Sequence, residues 1–308
     1  MINPKVPLAI FGFNRPTHLR RVLNALVNCE KFNEIEVHIF IDGPKSLSEV
    51  KKIANSQTVA KSFSNKFGAE LHFSKENKGL ANSLISGVSK ILNLNDKIIV
   101  LEDDILPSKY FIEFMLSGLH KFELEKSVAS IHGYVPPFKK EINAPFFRRG
   151  ADCWGWASWS DRWFSVEWNA EILLEEIEKY GLSKIFNLDN LYCFTCMLKR
   201  QINGEINSWA IRWHASMFLQ NKLTLYPNKS LVSNFGFDGS GIHGGRNTSY
   251  QTSTTNERIS ILDIEIIESK DGIQKFKEHY KSTFRVTYTA RVYRRFLRLK
   301  SRYKHRKD

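Results

Sequence analysis

Three consecutive carboxylates, Glu102, Asp103 and Asp104, close the apolar run Lys97-Ile-Ile-Val-Leu101. Adjacent acids at one strand end repel one another, and their pKa values rise unless a cation sits among them. Carboxylate oxygens suit a hard divalent ion, Mg2+ or Mn2+, of the kind that keeps several waters and shares substrate phosphates. The competing reading is a solvated acidic turn that leads into Ser108 and a following helix.

The segment Trp154-Gly-Trp-Ala-Ser-Trp-Ser-Asp-Arg-Trp163 places four tryptophans in ten residues. Aromatic faces stack on the C–H side of sugar rings, and Gly155 lets a ring approach the backbone. Trp154, Gly155, Trp156 and, further on, Trp209 are therefore candidate contacts for a sugar acceptor; the alternative is a hydrophobic clamp within the core. His243, in Gly-Ser-Gly-Ile-His-Gly-Gly, stands on a glycine-rich loop from which an imidazole either closes over a diphosphate or ligates a metal. Arg246 nearby is a phosphate candidate. Cys193-Phe-Thr-Cys196 is a lone C-x-x-C and reads as two small buried residues on a helix, and Cys29 and Cys153 add no pattern of a secreted disulfide framework.

These groups need elements to hold them. Leu8–Phe13 is a short apolar run closed by Asn14-Arg15-Pro16, and Leu19, Val22, Leu23, Leu26 and Val27 then recur at helical spacing. Strand-like runs return at Glu36–Ile41, closed by Asp42-Gly43, at Ala69–Phe73, and at Lys97–Leu101, with helical stretches between them. Such alternation predicts an α/β fold built on a mostly parallel sheet covered on both faces. Ligands of open sheets bind beyond the carboxyl ends of the strands, which sets Phe13, Asn14, Arg15, Asp42 and Glu102–Asp104 along one crevice. After Tyr134-Val-Pro-Pro137 the pattern becomes mixed and aromatic-rich. The expected organisation is 1–134 as a nucleotide-binding half, 135–260 as an acceptor-side half of the same domain, and 261–308 as a basic helical tail.

The order Asn14-Arg15-Pro16, Ile41-Asp42-Gly43, Asn77-Lys78-Gly79 and Leu101-Glu-Asp-Asp104 resembles the nucleotide-binding half of GT-A-fold glycosyltransferases. The Glu-Asp-Asp form of the Asp-X-Asp motif, and Asn234-Phe-Gly-Phe-Asp-Gly-Ser-Gly-Ile-His243, are similar to the N-acetylglucosaminyltransferase I group. The resemblance spans residues 6–245 and implies a Rossmann-like sheet with a mixed acceptor half. It further implies a nucleotide diphosphate sugar, UDP-linked in the common case, as donor, and Mn2+ or Mg2+ as cofactor. It makes Asp104 the metal ligand, joined by His243, with Asp103 near the ribose or sugar and Glu102 and Asp42 at the ribose or base. Phe13, Asn14, Arg15, Asn77, Lys78 and Arg246 complete the donor set. The family's inverting chemistry requires a carboxylate near the acceptor hydroxyl. Where that group carries Trp-Asp-Asp-Trp, this chain has Trp209-Ala-Ile-Arg-Trp213, without an acid. Asp161, Glu205 and Asp152 are the candidates.

The net charge of +13 is unevenly placed: residues 281–308 hold eleven Lys and Arg against a single acid, Asp308. A nearly neutral body with a basic tail argues against a nucleic-acid enzyme and for a tail that meets an acidic surface. At 100° per residue Arg291, Arg294, Arg295, Arg298 and Arg302 share one stripe, while Val292, Phe296, Leu299 and Tyr303 share another, the pattern of a helix lying on an anionic membrane. No cleavable leader opens the sequence and no run of 18 apolar residues occurs in it, so the expectation is a cytoplasmic protein, peripheral at the inner membrane. A glycan or lipid-linked acceptor in surface polysaccharide synthesis fits that placement. A nucleotidyltransferase acting on a sugar phosphate is the alternative, as is a non-catalytic carbohydrate-binding protein. The first normally opens with a glycine-rich loop where Phe11-Gly-Phe-Asn-Arg-Pro16 has one glycine; the second leaves the three acids unexplained.

Overall fold

The computed structural model of the protein describes residues 4–238 and 249–283. In chain order the elements are β1 (Val6–Gly12), α1 (Pro16–Leu26), β2 (Ile35–Ile41), α2 (Val50–Phe67), β3 (Glu70–Phe73), α3 (Leu80–Leu92), β4 (Lys97–Glu102), β5 (Ile105–Pro107), α4 (Phe111–Lys121), β6 (Val128–His132), β7 (Phe146–Arg149), β8 (Trp156–Trp159), α5 (Ser160–Phe164), α6 (Ala170–Lys179), α7 (Ser183–Phe186), α8 (Phe194–Ile202), α9 (Trp209–Leu219), β9 (Leu223–Tyr226) and β10 (Val232–Asn234). Residues 270–283 are helical as well. Eight strands form one sheet in the order β3-β2-β1-β4-β8-β6-β9-β7. The block β3-β2-β1-β4 is parallel, β8 runs antiparallel between β4 and β6, and β9 pairs parallel with β6 and antiparallel with β7.

The apolar runs of the central strands divide between two cores because successive side chains point to opposite faces. Leu8, Ile10, Ile99 and Leu101 meet α1, α2 and α4 on one face. Ala9, Phe11, Ile98 and Val100 meet α3 and α9 on the other. A strand buried on both faces needs no polar alternation, which is why β1 and β4 read as continuous hydrophobic sequence. The α/β architecture with a parallel first half and a mixed second half is the expected one.

Three expectations change. Trp156 and Trp209 are buried side chains in the core, 0% and 3% exposed. Trp156 stacks on Trp163 and packs on Trp213 and Trp209, with ring centroids 4.4–5.8 Å away. They form a hydrophobic clamp beneath the sheet and cannot meet an acceptor. Gly155 has φ +67°, and a Cβ there would sit 3.0 Å from Val232 and 3.1 Å from Phe111, so core packing and backbone conformation demand the glycine, not an approaching sugar. Cys193 and Cys196 are exposed and disulfide-bonded at the start of α8, where two small buried residues were expected.

Nor does the described part of 261–283 stand apart from the body. The Ser269 amide donates to the Phe147 carbonyl at 2.8 Å, and Phe276, 1% exposed, packs on Phe146 and Tyr226. Residues 284–308, with the two stripes of the basic tail, lie outside the described residues. Among the described residues no helix is long and apolar enough to cross a membrane.

Candidate active site

The loops after β1, β2 and β4 converge on a cavity of ≈ 380 Å³, bordered by Phe13, Asn14, Arg15, Asp42, Asn77, Glu102, Asp103, Asp104 and Trp154. That volume is in the range of small-molecule sites. Its wall opposite β4 is the segment Asn234–Phe237, delivered by the antiparallel ribbon of β5 and β10, in which Asn234 pairs with Ile105. The Phe235 amide donates to the Asp104 carbonyl at 3.1 Å. A Cβ on Gly236 would overlap the Asp104 carboxylate and stand 2.9 Å from its Cγ.

One guanidinium serves two of the three acids. Arg15 donates through Nη2 to Asp103 Oδ1 and, at 3.0 Å, to Asp104 Oδ2. Asp103, 2% exposed, also accepts from the Phe13 amide at 3.3 Å. Burial opposes the charge on Arg15, yet Asp103 and Asp104 hold it protonated above its ordinary value. Burial, then the charges of Asp104 and Asp103, push Glu102 up to about 8. Burial, opposed by Arg15 and reinforced by Asp104, pushes Asp103 up to about 6. Raised values for two of three adjacent acids mean that the group does not ionise fully beside Arg15 alone, and a divalent ion would let all three carboxylates do so. Asp104, whose side chain is 15% exposed, is the acid placed to reach such an ion from the cavity.

Asp42 borders the same cavity but its oxygens are occupied. Oδ1 accepts from the amides of Gly43 and Lys78 at 2.9 and 3.0 Å, and Oδ2 from Asn77 Nδ2 at 3.1 Å and the Gly79 amide at 2.9 Å. A carboxylate has about four acceptor positions. Asp42 thus holds the 77–79 turn that opens α3 rather than offering itself to a base or ribose. Lys78 contributes its amide to this arrangement and borders a neighbouring cavity, not the crevice.

Beyond Trp154 lies an aromatic enclosure that the sequence pattern did not mark. Tyr134 and Tyr250 pack edge-on against Trp154, with centroids at 4.6 and 5.7 Å. Behind them Asp152 accepts from the Tyr226 hydroxyl at 3.3 Å and from the Cys153 amide at 2.8 Å, with His132 Nε2 at 3.8 Å. Arg148, 4% exposed, donates to the same Tyr226 hydroxyl at 3.5 Å. Burial favours protonation of Asp152, but His132 and Arg148 bring it below the usual carboxylate value, so it is ionised at neutral pH. Burial, with the charges of Asp152, Glu102 and Asp104, drives the Cys153 thiol well upward, which sets that residue between the two acid groups. One signal does point to the enclosure: Ser130 and His132 are polar residues inside the wholly buried strand β6.

The remaining candidates separate. Trp159, just before α5, pairs with Lys97 while Trp156 pairs with Val100, so Asp161 stands at the amino end of β4, about 15 Å of strand from Glu102. It is held there by Lys126 and Arg162 at 2.7 Å each. Glu205 is exposed, pairs with Arg200 at 3.2 Å and is absent from the cavity wall. The antiparallel entry of β8 reverses the direction in which the tryptophan segment has to be read. His243 and Arg246 lie outside the described residues.

No protein-family model matches the chain, and no curated protein sequence matches it. Solved structures similar to it include the mannosyltransferase PcManGT from Pyrobaculum calidifontis in complex with GDP-Man and Mn2+, at 12% identity and a TM-score of 0.34, covering 44% of this chain and 36% of that one. S. aureus TarS 1-349 is similar at 11% identity and a TM-score of 0.43, over 76% of this chain and 61% of its own. Glucosyl-3-phosphoglycerate synthase from Mycobacterium tuberculosis, in complex with Mn2+, UDP and glucosyl-3-phosphoglycerate, is similar at 10% identity and 0.38, over 58% and 67%. The chain therefore spans a minority of the mannosyltransferase and less than two thirds of the TarS chain. The likeness is one of fold, and distant in each case.

Proposed function

We propose that this chain is a glycosyltransferase that moves a sugar from a nucleoside diphosphate donor to a glycan or lipid-linked acceptor. The observation that carries the reading is the acid cluster Glu102–Asp104 at the carboxyl end of β4, with the single guanidinium of Arg15 bonded to two of its acids and one cavity shared with Phe13, Asn14, Asn77 and Trp154. Asp104 would hold the divalent ion, with Asp103 behind it, fixed by Arg15 and the Phe13 amide. When bound, that ion supplies charge neutralisation to the departing diphosphate. Phe13, Asn14 and Asn77 form the wall for the nucleoside, and Trp154 with Tyr250, backed by the buried ring of Tyr134, forms the wall for the acceptor. Asp152 takes the proton of the acceptor hydroxyl as its oxygen bonds to the anomeric carbon and the carbon–oxygen bond to the diphosphate breaks. A single displacement of this kind inverts the anomeric configuration.

The test uses the full chain with UDP-sugars and Mn2+. The expected outcome is Mn2+-dependent release of UDP, lowered at least about a hundredfold in Asp104→Asn while circular dichroism and Tm are retained. Release of pyrophosphate instead of UDP would favour a nucleotidyltransferase, and an unchanged Mn2+-dependent UDP affinity in Asp104→Asn removes the metal assignment. We further propose that the 285–308 segment docks the enzyme on an anionic membrane at the cytoplasmic face, near a lipid-linked acceptor. Five arginines on one stripe supply on the order of 5 kcal/mol before ordering costs. Liposome co-sedimentation should lose the protein when the chain is truncated after Phe284; equal sedimentation of both forms rejects this role.

A further inference from the structure

A second cluster of ligating side chains lies on the far edge of the sheet, and the acid site does not use it. His38 on β2 is in register with Glu70 on β3, and Phe40 with His72. Alternate residues of a strand share a face, so both imidazoles and the carboxylate project to one side of this strand pair. His38 Nδ1 is 3.3 Å from His72 Nε2 and 3.4 Å from Glu70 Oε2, and His72 Nε2 is 3.3 Å from Glu70 Oε1. A tetrahedral ion with bonds of about 2.0–2.1 Å sets its ligands about 3.3–3.4 Å apart. We propose that His38, Glu70 and His72 bind a zinc-class divalent cation, a site separate from the one at Asp104 and going beyond the transferase reading.

The donor set selects the class of ion. Two imidazoles and one carboxylate suit zinc and its neighbours, whereas an all-oxygen set suits Mg2+ or Mn2+. The distal nitrogen of His38 is buried without a hydrogen-bond partner, with Glu36 Oε2 at 4.0 Å as the carboxylate able to orient the ring. Lys90 Nζ lies 3.1 Å from His72 Nδ1 and competes with the ion, since a metallated His72 carries its proton on Nδ1. Lys90 is an exposed side chain of α3 and can swing away.

The site has a structural consequence. β3 is a four-residue edge strand, and the chain leaving it passes through Ser74, bonded to the Ile41 carbonyl at 3.0 Å, into the turn held by Asp42. An ion bridging His38 to Glu70 and His72 clips this short edge to β2 immediately before the donor crevice.

The experiment is a zinc titration of the chelator-stripped full chain by calorimetry, repeated with Co2+ to read the visible bands of a tetrahedral site. One equivalent is expected, with a rise in Tm, retained in Asp104→Asn and lost in His72→Ala. Because His72 is partly buried, the exposed positions carry an independent reading: Glu70→Gln weakens binding, and Lys90→Ala, which removes a like charge at close range, tightens it about tenfold. Absence of saturable zinc uptake by Asp104→Asn, or an affinity unmoved by both Glu70→Gln and Lys90→Ala, overturns the proposal.

Discussion

Asp152 lies below the usual carboxylate value because His132 and Arg148 outweigh the cost of its burial, Arg148 being the one of the two that is charged at neutral pH, and an ionised carboxylate beside an aromatic wall is what deprotonation of a sugar hydroxyl requires. Asp152→Asn should therefore lower kcat by at least about a hundredfold and leave the KM for donor unchanged. Asp161→Asn and Glu205→Gln should retain turnover, and product NMR should show the anomeric configuration opposite to the donor's. Retained activity in Asp152→Asn removes the assignment. The acids at 102–104 were legible from sequence because three carboxylates closing a buried strand repel one another until a cation joins them. Asp152 was far less legible, because its surroundings include His132 and Tyr226, residues distant in sequence that only the folded sheet brings beside it and Arg148. Arg15, placed in the donor set by resemblance, does border the cavity, and its guanidinium is bonded there to Asp103 and Asp104.

Elements of the first half could be read almost residue by residue because each β-α-β unit is local: β1, α1 and β2 occupy residues 6–41, and the partners of each strand follow in the same order. In the second half β7 pairs with β9 across some seventy-five residues and β8 inserts antiparallel between β4 and β6. A tryptophan-rich strand in such a position cannot be told from a ligand platform by its pattern alone, which explains Trp156; Trp209, on α9, packs against that buried ring. The β5–β10 ribbon is a small element of the same non-local kind, and it brings Gly236 against Asp104. In Gly236→Ala the new methyl must displace the carboxylate or the ribbon. Mn2+ affinity should fall at least about tenfold, because the carboxylate is pushed from its place at the cavity. Equal Mn2+ affinity in the variant would mean that the ribbon plays no part in shaping the site.

At the scale of the whole molecule, the mixed half of the sheet encloses two histidines that are neutral for the same reason. Burial lowers His132 to about 4 and His214 to about 3, against the ordinary value of 6.5. On unfolding each regains its ordinary affinity for protons, so between pH 6.5 and 4 the unfolded chain binds more protons than the folded one. Their contribution to stability is full above pH 6.5 and is lost as the pH falls through that window, by up to about 1.4 kcal/mol per pH unit for each histidine. The acids at the end of β4 titrate in overlapping conditions with the opposite sign, because Glu102 and Asp103 are raised and not lowered. A pH profile of the native protein alone would mix the two effects. His132→Phe separates them, since a phenyl ring can keep the edge-on contact with Tyr226, now at 5.0 Å, and removes one titrating group. Urea midpoints at pH 7, 6 and 5 should fall more steeply for the native chain than for His132→Phe, with the gap opening below pH 6.5. Parallel slopes would mean that His132 titrates alike in the folded and unfolded chain, and would remove the lowering that its burial is taken to cause.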